Sequence, residues 1–212
     1  MIFNKGIWLP DNETEKAFTK NYEIKSYKKL NLSGDMCLDI GAHVGIWSQR
    51  LSKDYNEVIC FEPLKKNIEC HKKNCEGLKN ITLHECALSN KNEYRQITTK
   101  DRNSGMTTLE PNISNRWSSK TKKVELVKTK ILDDFNFGKI DFIKLDVEGH
   151  EISVLNGAKE TIKKYYPKIF IEVWDKHYTK VSEVIFNMGY TMNKIDGRGN
   201  YLCEKLDSLD KQ

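Results

Sequence analysis

Two short motifs in the first third of the chain combine glycines with an acid at a spacing that suits the binding of a small molecule. The first, DIGAHVG, occupies residues 39–45. Glycines let the backbone turn tightly and let a ligand approach it closely. The G-x-G-x-x-G fingerprint of NAD-binding loops is missing, and Asp39 would repel a pyrophosphate. The motif therefore favours a cationic ligand or the amino group of an amino acid, with a structural strand-to-helix turn as the alternative.

The second motif is FEP at residues 61–63, and its Glu62 lies 21 residues after Gly41. A carboxylate at this separation can accept hydrogen bonds from both hydroxyls of a ribose, as in dinucleotide folds. The structural alternative is an acid that interacts with the dipole of the helix beginning at Pro63. Together the two motifs describe a site for S-adenosylmethionine better than one for NAD.

Acids and histidines are concentrated at residues 144–151 and 172–177, in the second half of the chain. Lys144 and Asp146 are two apart on a predicted strand, so they share a face and can simply pair with each other. Acids that begin a helix also complement its dipole, which is the structural alternative for this segment. The residues considered for catalysis are Asp146, Glu148, His150, Glu172 and His177.

The elements that must position these residues alternate between strand and helix. Apolar runs predict strands at 36–40, 57–61, 80–86, 141–147 and 168–174, with an antiparallel ribbon of 190–195 and 201–204. Helical spacing predicts helices at 45–53, 64–75, 151–165 and 181–188. This alternation is typical of an α/β fold with a doubly wound, mostly parallel sheet. Such sheets bind ligands beyond the carboxyl ends of their strands, where the motifs above fall.

Two stretches depart from the alternation. Residues 1–35 are predicted to form an N-terminal extension with short amphipathic helices, and we consider them as a cap over the substrate. Residues 88–138 are predicted to form a β-rich insertion between the third and fourth strands, with strands at 93–99 and 123–131 and an irregular loop at 100–120. Long loops in compact domains are commonly binding elements. The remaining chain, 36–212, is expected to be one domain.

The motifs resemble those of the FkbM family of class I S-adenosylmethionine-dependent methyltransferases over about residues 36–174. The matching segments are DIGAHVG, FEP, CALSN at 86–90, NSGM at 103–106 and IDFIKLDVEGHEISVLNGA at 140–158. The resemblance implies a Rossmann-like sheet of seven strands whose last strand is antiparallel. It also implies methyl transfer, usually to a hydroxyl oxygen. Position 43 is commonly Asn in such loops and is His43 here.

The resemblance also implies a set of residues around the cofactor. Asp39, Gly41 and Gly45 would line its methionine end, Glu62 its ribose and Ala87 its adenine. The full set of cofactor residues expected on this basis is Asp39, Gly41, His43, Gly45, Glu62, Ala87 and Asp146.

Methyl transfer to an alcohol needs a base or a metal, because an alcohol is a poor nucleophile. His150 and His177 are the candidate bases, since histidine titrates nearest to neutral pH. Asp146, Glu148 and Glu172 either orient the acceptor or together hold a hard divalent cation such as Mg²⁺. The sequence leaves these alternatives open.

The leading interpretation is an O-methyltransferase that acts on a hydroxyl of a sugar, a glycan or a small metabolite. An RNA ribose 2′-O-methyltransferase is the first alternative, because Lys144, Asp146, Lys168 and Glu172 can imitate its Lys-Asp-Lys-Glu constellation. A non-catalytic S-adenosylmethionine-binding protein of the same fold is the second alternative.

Composition and charge argue against a nucleic-acid-binding, a membrane-spanning or a secreted protein. The chain has 212 residues, a net charge of +5 and six cysteines, and its lysines occur in scattered pairs rather than in a patch. We therefore expect one cytoplasmic domain without a nucleic-acid or membrane partner. No apolar run reaches the roughly 18 residues of a membrane span, and the N-terminus does not read as a signal peptide. His71 and Cys75 share a helical face, but two ligands do not make a zinc site.

Overall fold

The computed structural model describes residues 1–4, 6–10, 25, 27–100, 103–116 and 122–207. Along the chain its strands and helices are β1 (Ile2–Asn4), β2 (Ile7–Leu9), β3 (Gly34–Ile40), α1 (Ile46–Leu51), β4 (Tyr55–Phe61), α2 (Lys65–Asn74), β5 (Ile81–His84), β6 (Ala87–Leu88), β7 (Glu93–Lys100), β8 (Asn103–Thr108), α3 (Pro111–Ser114), β9 (Lys122–Lys130), β10 (Phe142–Leu145), α4 (Glu151–Asn156), α5 (Lys159–Tyr165), β11 (Lys168–Glu172), α6 (Tyr178–Asn187), β12 (Tyr190–Lys194) and β13 (Asn200–Lys205). Short 3₁₀ turns cover Leu132–Asp134 and Asp175–His177.

A mixed sheet of seven strands forms the centre of the molecule, in the order β12-β13-β11-β10-β3-β4-β5. The strands β5, β4, β3, β10 and β11 run parallel to one another. The last strand, β13, is antiparallel to both of its neighbours. The doubly wound, mostly parallel sheet with an antiparallel last strand is therefore confirmed.

Both faces of this sheet are covered, which explains why its central strands are nearly continuous apolar runs. On one face Leu38 and Ile143 belong to a buried cluster with Val154 and Ile185 of α4 and α6. Successive side chains of a strand point to opposite faces. On the other face the neighbouring positions pack against α1, in a cluster that includes Cys37, Phe142 and Trp47.

The predicted helix at 151–165 is two helices. The first ends at Asn156, and the backbone N–H of Asp133 donates to the Gly157 carbonyl at 3.0 Å. The carboxylate of Asp133 then accepts the N–H groups of Glu160 and Thr161 at 3.0 and 2.8 Å. These N–H groups belong to the first turn of α5 and lack partners inside the helix. The distant residue Asp133 thus caps the N-terminus of α5. The local periodicity of residues 151–165 does not indicate this cap.

The insertion forms a second sheet of four strands, in the order β6-β9-β7-β8. Strands at β7 and β9 were predicted, but the irregular loop expected at 100–120 is wrong where the structure describes it. Asn103–Thr108 forms β8, and Pro111–Ser114 forms α3. Residues 101–102 and 117–120 of that expected loop lie outside the described residues. Most residues of β8 are small or polar. Pairing with β7 therefore determines the extended conformation of β8 more than the propensity of its own residues does.

The described start of the N-terminal extension is a pair of strands rather than a helix. β1 and β2 pair antiparallel, and Asn74 at the end of α2 holds β2 by two hydrogen bonds to the backbone of Trp8, at 2.7 and 2.9 Å. Residues 11–24 of the same predicted extension lie outside the described residues. The division into an extension and a domain stays a prediction. Within the described ranges, no helix has the length and apolar character needed to cross a membrane.

The loop after β3 generates a stability prediction. Gly41 has φ +80°, and a Cβ built on it would lie 1.9 Å from the carbonyl oxygen of Asp146. Gly77 has φ +84° with nothing within 4 Å of such a Cβ. We expect Gly77→Ala to cost about 1–2 kcal/mol through its left-handed backbone alone. Gly41→Ala should cost more than about 3 kcal/mol, because the backbone of Asp146 must also move.

Urea denaturation of the two variants and the wild type measures this difference. Equal losses of unfolding free energy would contradict the close packing of the loop against the end of β10.

Candidate active site

A cavity of about 360 Å³ opens at the carboxyl ends of β3, β4, β10 and β11. Its floor is the loop after β3 and the segment after β10, and β8 of the insertion supplies a further wall through Ser104, Met106 and Thr107. This volume falls within the usual range for small-molecule sites, about 300–1,000 Å³. The edge of the sheet predicted to bind a ligand is therefore partly covered by the insertion.

Eight of the predicted site residues line this cavity, and three do not. Those that line it are Gly41, His43, Glu62, Ala87, Asp146, Glu148, His150 and Glu172. Asp39, Gly45 and His177 lie outside the lining. Among the described residues, none before Ile40 lines the cavity, so the described part of the N-terminal extension does not cover it.

Asp39 is fully buried beneath the loop rather than exposed to a ligand. Its Oδ2 accepts a hydrogen bond from Ser48 Oγ at 2.7 Å, and Ser48 is in turn 2.9 Å from His71 Nε2. Its Oδ1 lies 3.5 Å from Lys144 Nζ. Asp39 therefore acts on the cavity only through the residues that it holds in place.

Gly45 allows α1 to pack closely against α2 and does not line the cavity. It is the residue before α1, with φ +89°, and a Cβ built there would lie 2.9 Å from Cys75 Sγ and 3.0 Å from His71 Cδ2. Any side chain would push α1 and α2 apart. His71 and Cys75, considered above for zinc, form the wall against which this glycine packs.

His43 occupies the left-handed region with φ 52°, where Asn is the better-tolerated residue. Its backbone N–H donates to Glu62 Oε2 at 3.0 Å, and its Nε2 lies 2.6 Å from Ser104 Oγ. Burial, helped by the charge of Lys144, lowers the pKa of His43 to about 3. The neutral ring therefore links the loop after β3 to the insertion.

Glu62 is buried and held in one orientation. Its Oε1 accepts the backbone N–H of Leu64 at 3.0 Å and the side-chain amide of Asn67 at 3.1 Å. Burial raises the pKa of Glu62 to about 7, against these hydrogen bonds, which favour the charged form. The carboxyl group therefore titrates near neutral pH at the edge of the cavity.

The other end of the cavity is acidic. Asp146 follows β10 and Glu172 ends β11, and because Leu145 pairs with Ile171 the two acids are neighbours at the sheet edge. Burial raises the pKa of Glu148 well above its usual value, and the charges of Asp146 and Glu172 add to this. Lys144 Nζ lies 3.5 Å from Asp146 Oδ2, as the shared face of the strand predicted.

His150 is buried with both ring nitrogens hydrogen-bonded. Its Nδ1 donates to Glu110 Oε1 at 2.6 Å, and its Nε2 lies 2.9 Å from Ser89 Oγ. Glu110 precedes α3 in the insertion and Ser89 follows β6, so the ring joins three separate segments. His177 stacks on Trp174 with ring centroids 5.8 Å apart. Neither histidine offers a free nitrogen inside the cavity in this arrangement.

Comparison with known proteins identifies the family of the chain. The family model described as "Methyltransferase FkbM domain" matches residues 39–196. The chain belongs to the FkbM methyltransferase family. The resemblance of the motifs to this family is thereby confirmed.

Individual relatives of this FkbM domain are distant in sequence. "Methyltransferase sdnD" of Sordaria araneosa is 21% identical over 200 residues, covering 77% of this chain and 76% of its own. The crystal structure of Methyltransferase FkbM from Methylobacillus flagellatus KT superposes with a TM-score of 0.58 at 17% identity, covering 92% of this chain. The chain spans about half, 48%, of the length of that protein. SMU.1697c from Streptococcus mutans, solved in complex with SAH, superposes with a TM-score of 0.50 at 11% identity, covering 87% of this chain and 97% of its own.

Two alternatives considered from the sequence find no support in the geometry of the FkbM domain. Lys168 begins β11, at the end of that strand away from Glu172, and forms an ion pair with Glu204 at 2.7 Å. The Lys-Asp-Lys-Glu constellation of an RNA 2′-O-methyltransferase is therefore not assembled. In the described part of the chain, no three His, Cys, Asp or Glu side chains are arranged to hold a metal ion, so a divalent cation at Asp146, Glu148 and Glu172 is unsupported.

Several residues of the site were missed from the sequence. Ser104 and Glu110 lie in the insertion, and their contacts with the core join residues far apart in the chain, which no local pattern reveals. Asn67 lines the cavity from the first turn of α2. It lies on the buried face of that helix with Ile68 and Cys70, and a polar residue on such a face is the signal that could have found it.

The contact between His150 and Glu110 generates a prediction for the FkbM domain. A hydrogen bond to a charged group contributes about 1.5–3 kcal/mol to stability. A double-mutant cycle of His150→Gln and Glu110→Gln should therefore give a coupling free energy of at least about 1.5 kcal/mol in urea denaturation.

The exposed pair of Lys168 and Glu204 is the control for this cycle. Its coupling should be below about 1 kcal/mol, because exposed ion pairs contribute little. Equal coupling in the two cycles would mean that His150 does not tie the insertion to the core.

Proposed function

We propose that the chain uses S-adenosylmethionine to methylate a hydroxyl of a sugar, a glycan or a small metabolite. The observation that carries this proposal is a half-enclosed cavity with a carboxylate at each end. Glu62 follows β4 and Glu172 ends β11, and two strands, β3 and β10, lie between them. Neighbouring strands are about 4.8 Å apart, so the two positions are roughly 14 Å apart across the sheet. An elongated ligand such as a nucleoside with an amino-acid tail fits this span.

The nucleoside side of the cavity supports this assignment. Glu62 is fixed by its hydrogen bonds and can accept the hydroxyls of a ribose. The neighbouring wall contains Ala87 and Leu88, which suit the flat face of an adenine. SAH, S-adenosylhomocysteine, is the demethylated form of S-adenosylmethionine, and SMU.1697c of the same fold binds it. These points favour a nucleoside oriented with its ribose at Glu62.

The acidic residues at one end of the cavity favour a positively charged ligand. Asp146, Glu148 and Glu172 line it together, and Lys144 is shared between Asp146 and Asp39. Net negative charge in a half-enclosed site favours a sulfonium, which carries a positive charge. S-adenosylmethionine supplies an electrophilic methyl group on that sulfonium.

Glu148 is the residue that we assign to the proton of the acceptor. It lines the cavity beside Asp146 and Glu172, whereas His150 is engaged with Glu110 and His177 lies outside the lining. Burial and the adjacent negative charges raise the pKa of Glu148, which makes its ionised form a stronger base. In the proposed transfer the acceptor oxygen would bond to the methyl carbon as the bond from that carbon to the sulfonium sulfur breaks. Neutral S-adenosylhomocysteine would leave, and the Glu148 carboxylate would take the hydroxyl proton. Asp146 and Glu172 orient the acceptor.

The insertion contributes the acceptor side of the cavity. Ser104, Met106, Thr107 and Leu109 mix small polar and apolar surface along one wall. This wall suits an acceptor with both polar and apolar parts, such as a sugar or a small metabolite that presents a hydroxyl. A screen of labelled methyl transfer into glycans and metabolites would identify the acceptor. Cofactor binding without transfer to any of them would favour the non-catalytic alternative.

Cofactor binding is expected to depend on pH through Glu62. The pKa of Glu62 is about 7, and only the carboxylate accepts hydrogen bonds from both ribose hydroxyls. Affinity for S-adenosylhomocysteine should therefore rise about tenfold between pH 6 and pH 8, as the ionised fraction rises. Glu62→Gln should bind more weakly and lose this dependence, as measured by isothermal titration calorimetry.

Glu57→Gln is the matched control for Glu62, because Glu57 is an exposed residue on the same strand. Its pH profile should equal that of the wild type. No binding by the wild type at any pH would contradict the proposed function.

Methyl transfer is expected to depend on Glu148. Glu148→Gln should lower kcat about 10²–10⁴-fold, the usual contribution of a general base, with the affinity for S-adenosylhomocysteine little changed. Glu151→Gln is the control, because Glu151 is a buried acid of the same segment with a pKa raised to about 7 but does not line the cavity. Equal turnover in the Glu148→Gln variant and the wild type would show that another group takes the proton.

A further inference from the structure

The two long strands of the insertion, β7 and β9, pack against the protein through one face. Ile97 of β7 and Val127 of β9 are buried in a cluster with Leu64, which precedes α2, and with Ala87. Ile97 also lines the cavity. Successive side chains of a strand point to opposite faces, so the residues next to Ile97 and Val127 point away from this cluster. We call the side formed by those residues the outer face of the insertion.

Three large apolar side chains lie exposed together on the outer face. Tyr94, Val124 and Leu126 are 69%, 51% and 67% exposed. Val124 and Leu126 are two apart on β9, and Tyr94 of β7 pairs with Lys128, the next outward residue after Leu126. Diagonal neighbours of this kind are within reach of an aromatic side chain. Apolar residues exposed as a group, unlike single ones, commonly mark a surface that contacts a protein or a membrane.

Lysines flank these apolar side chains at both ends of the outer face. Lys128 lies opposite Tyr94 at one end, and Lys122 lies opposite Lys100 at the other. Residues directly opposite each other in an antiparallel pair share a face, so the three ammonium groups belong to the same side as the apolar residues. The acids of the two strands occupy the alternate positions and point to the other face: Glu93 and Glu125. Along β7 and β9, the outer face is therefore both apolar and positively charged.

We propose that the outer face of the insertion docks onto an anionic lipid surface. Tyr94, Val124 and Leu126 contact the boundary between headgroups and acyl chains, and the lysines at either end bind the lipid phosphates. A bilayer with acidic lipids presents apolar material beneath a layer of negative charge, which is complementary to this arrangement. The methylene stems of lysines can lie along the apolar surface while their ammonium groups reach the phosphates. The inference does not depend on the function proposed for the cavity.

The same features argue against other partners for a basic surface. A nucleic acid would use the lysines, but the aliphatic side chains of Val124 and Leu126 offer it neither a hydrogen bond nor a ring for stacking. A second copy of the chain would place like charges against one another, which is unfavourable. The expectation of no membrane partner rested on lysines that are scattered along the sequence. Pairing of β7 with β9 brings lysines from separate segments onto one face.

Flotation of the full chain with lipid vesicles tests this inference. Vesicles of equal parts phosphatidylglycerol and phosphatidylcholine should carry the wild type, whereas vesicles of phosphatidylcholine alone should not. Lys128→Gln should weaken binding to the anionic vesicles about fivefold, the usual contribution of one lysine near such a surface. The double variant Leu126→Gln/Lys128→Gln should weaken it by more than about tenfold, because an apolar contact is lost as well.

The double variant Lys180→Gln/Phe186→Gln is the matched control. It removes one exposed lysine and one exposed apolar side chain from α6, which is not part of the insertion, and changes the net charge by the same amount. It should float with anionic vesicles as the wild type does. Circular dichroism confirms that each variant is folded. Lys128→Gln alone alters a single exposed residue, so it keeps the test valid if the double variant of the outer face does not fold.

Several results would overturn the inference. Absence of flotation of the folded wild type, or equal flotation of the wild type and the Leu126→Gln/Lys128→Gln variant, would show that the outer face does not bind anionic lipid. A gel shift with an RNA oligonucleotide in place of vesicle binding would assign the lysines to nucleic acid. A mass of two chains in light scattering that Leu126→Gln reduces to one would assign the face to a second copy. Each of these results leaves the binding of S-adenosylhomocysteine in the cavity to its own test.

Discussion

One buried ammonium group determines the shape of the cavity floor. Lys144 is 3% exposed in the middle of the sheet, and it donates to the Gly41 carbonyl at 2.8 Å. It also lies 3.5 Å from a carboxylate oxygen of Asp39 and of Asp146. A charge at this depth is stable only when oxygens of fixed position surround it. The loop after β3 and the end of β10 are therefore tied to one point, and the close approach of Gly41 to Asp146 follows from it.

The roof of the cavity is attached to this floor by two histidines. His43 connects the loop after β3 to Ser104 of β8, and His150 connects the segment after β10 to Glu110 before α3. Both contacts are short and mostly shielded from water, which strengthens hydrogen bonds relative to exposed ones. The insertion is thus positioned by side chains that themselves line the cavity. Its distance from the floor depends on how those two side chains are bonded.

Much of the framework could be predicted from the sequence because it depends on local pattern. Apolar runs covered on both faces identify the central strands, and acids that follow those strands, such as Glu62 and Glu172, must lie at one edge of the sheet. Pairing between distant segments could not be read in this way. Asp39 looked like a ligand contact, but the alternation of its strand turns it toward Ser48 and Lys144, beneath the loop. His177 has a suitable chemical type, and its stacking on Trp174 keeps it outside the cavity lining.

The bridge made by His150 also bears on how such domains diverge and how they can be re-engineered. Ser89 precedes the main strands of the insertion, Glu110 lies within it and His150 belongs to the core, so the joint crosses the boundary between the two. An insertion transplanted from a relative would arrive with its own partners for that ring. A chimera that exchanges 88–138 alone can therefore leave a buried imidazole facing the wrong neighbours. The unit that can be exchanged between relatives is the insertion together with the turn that carries His150.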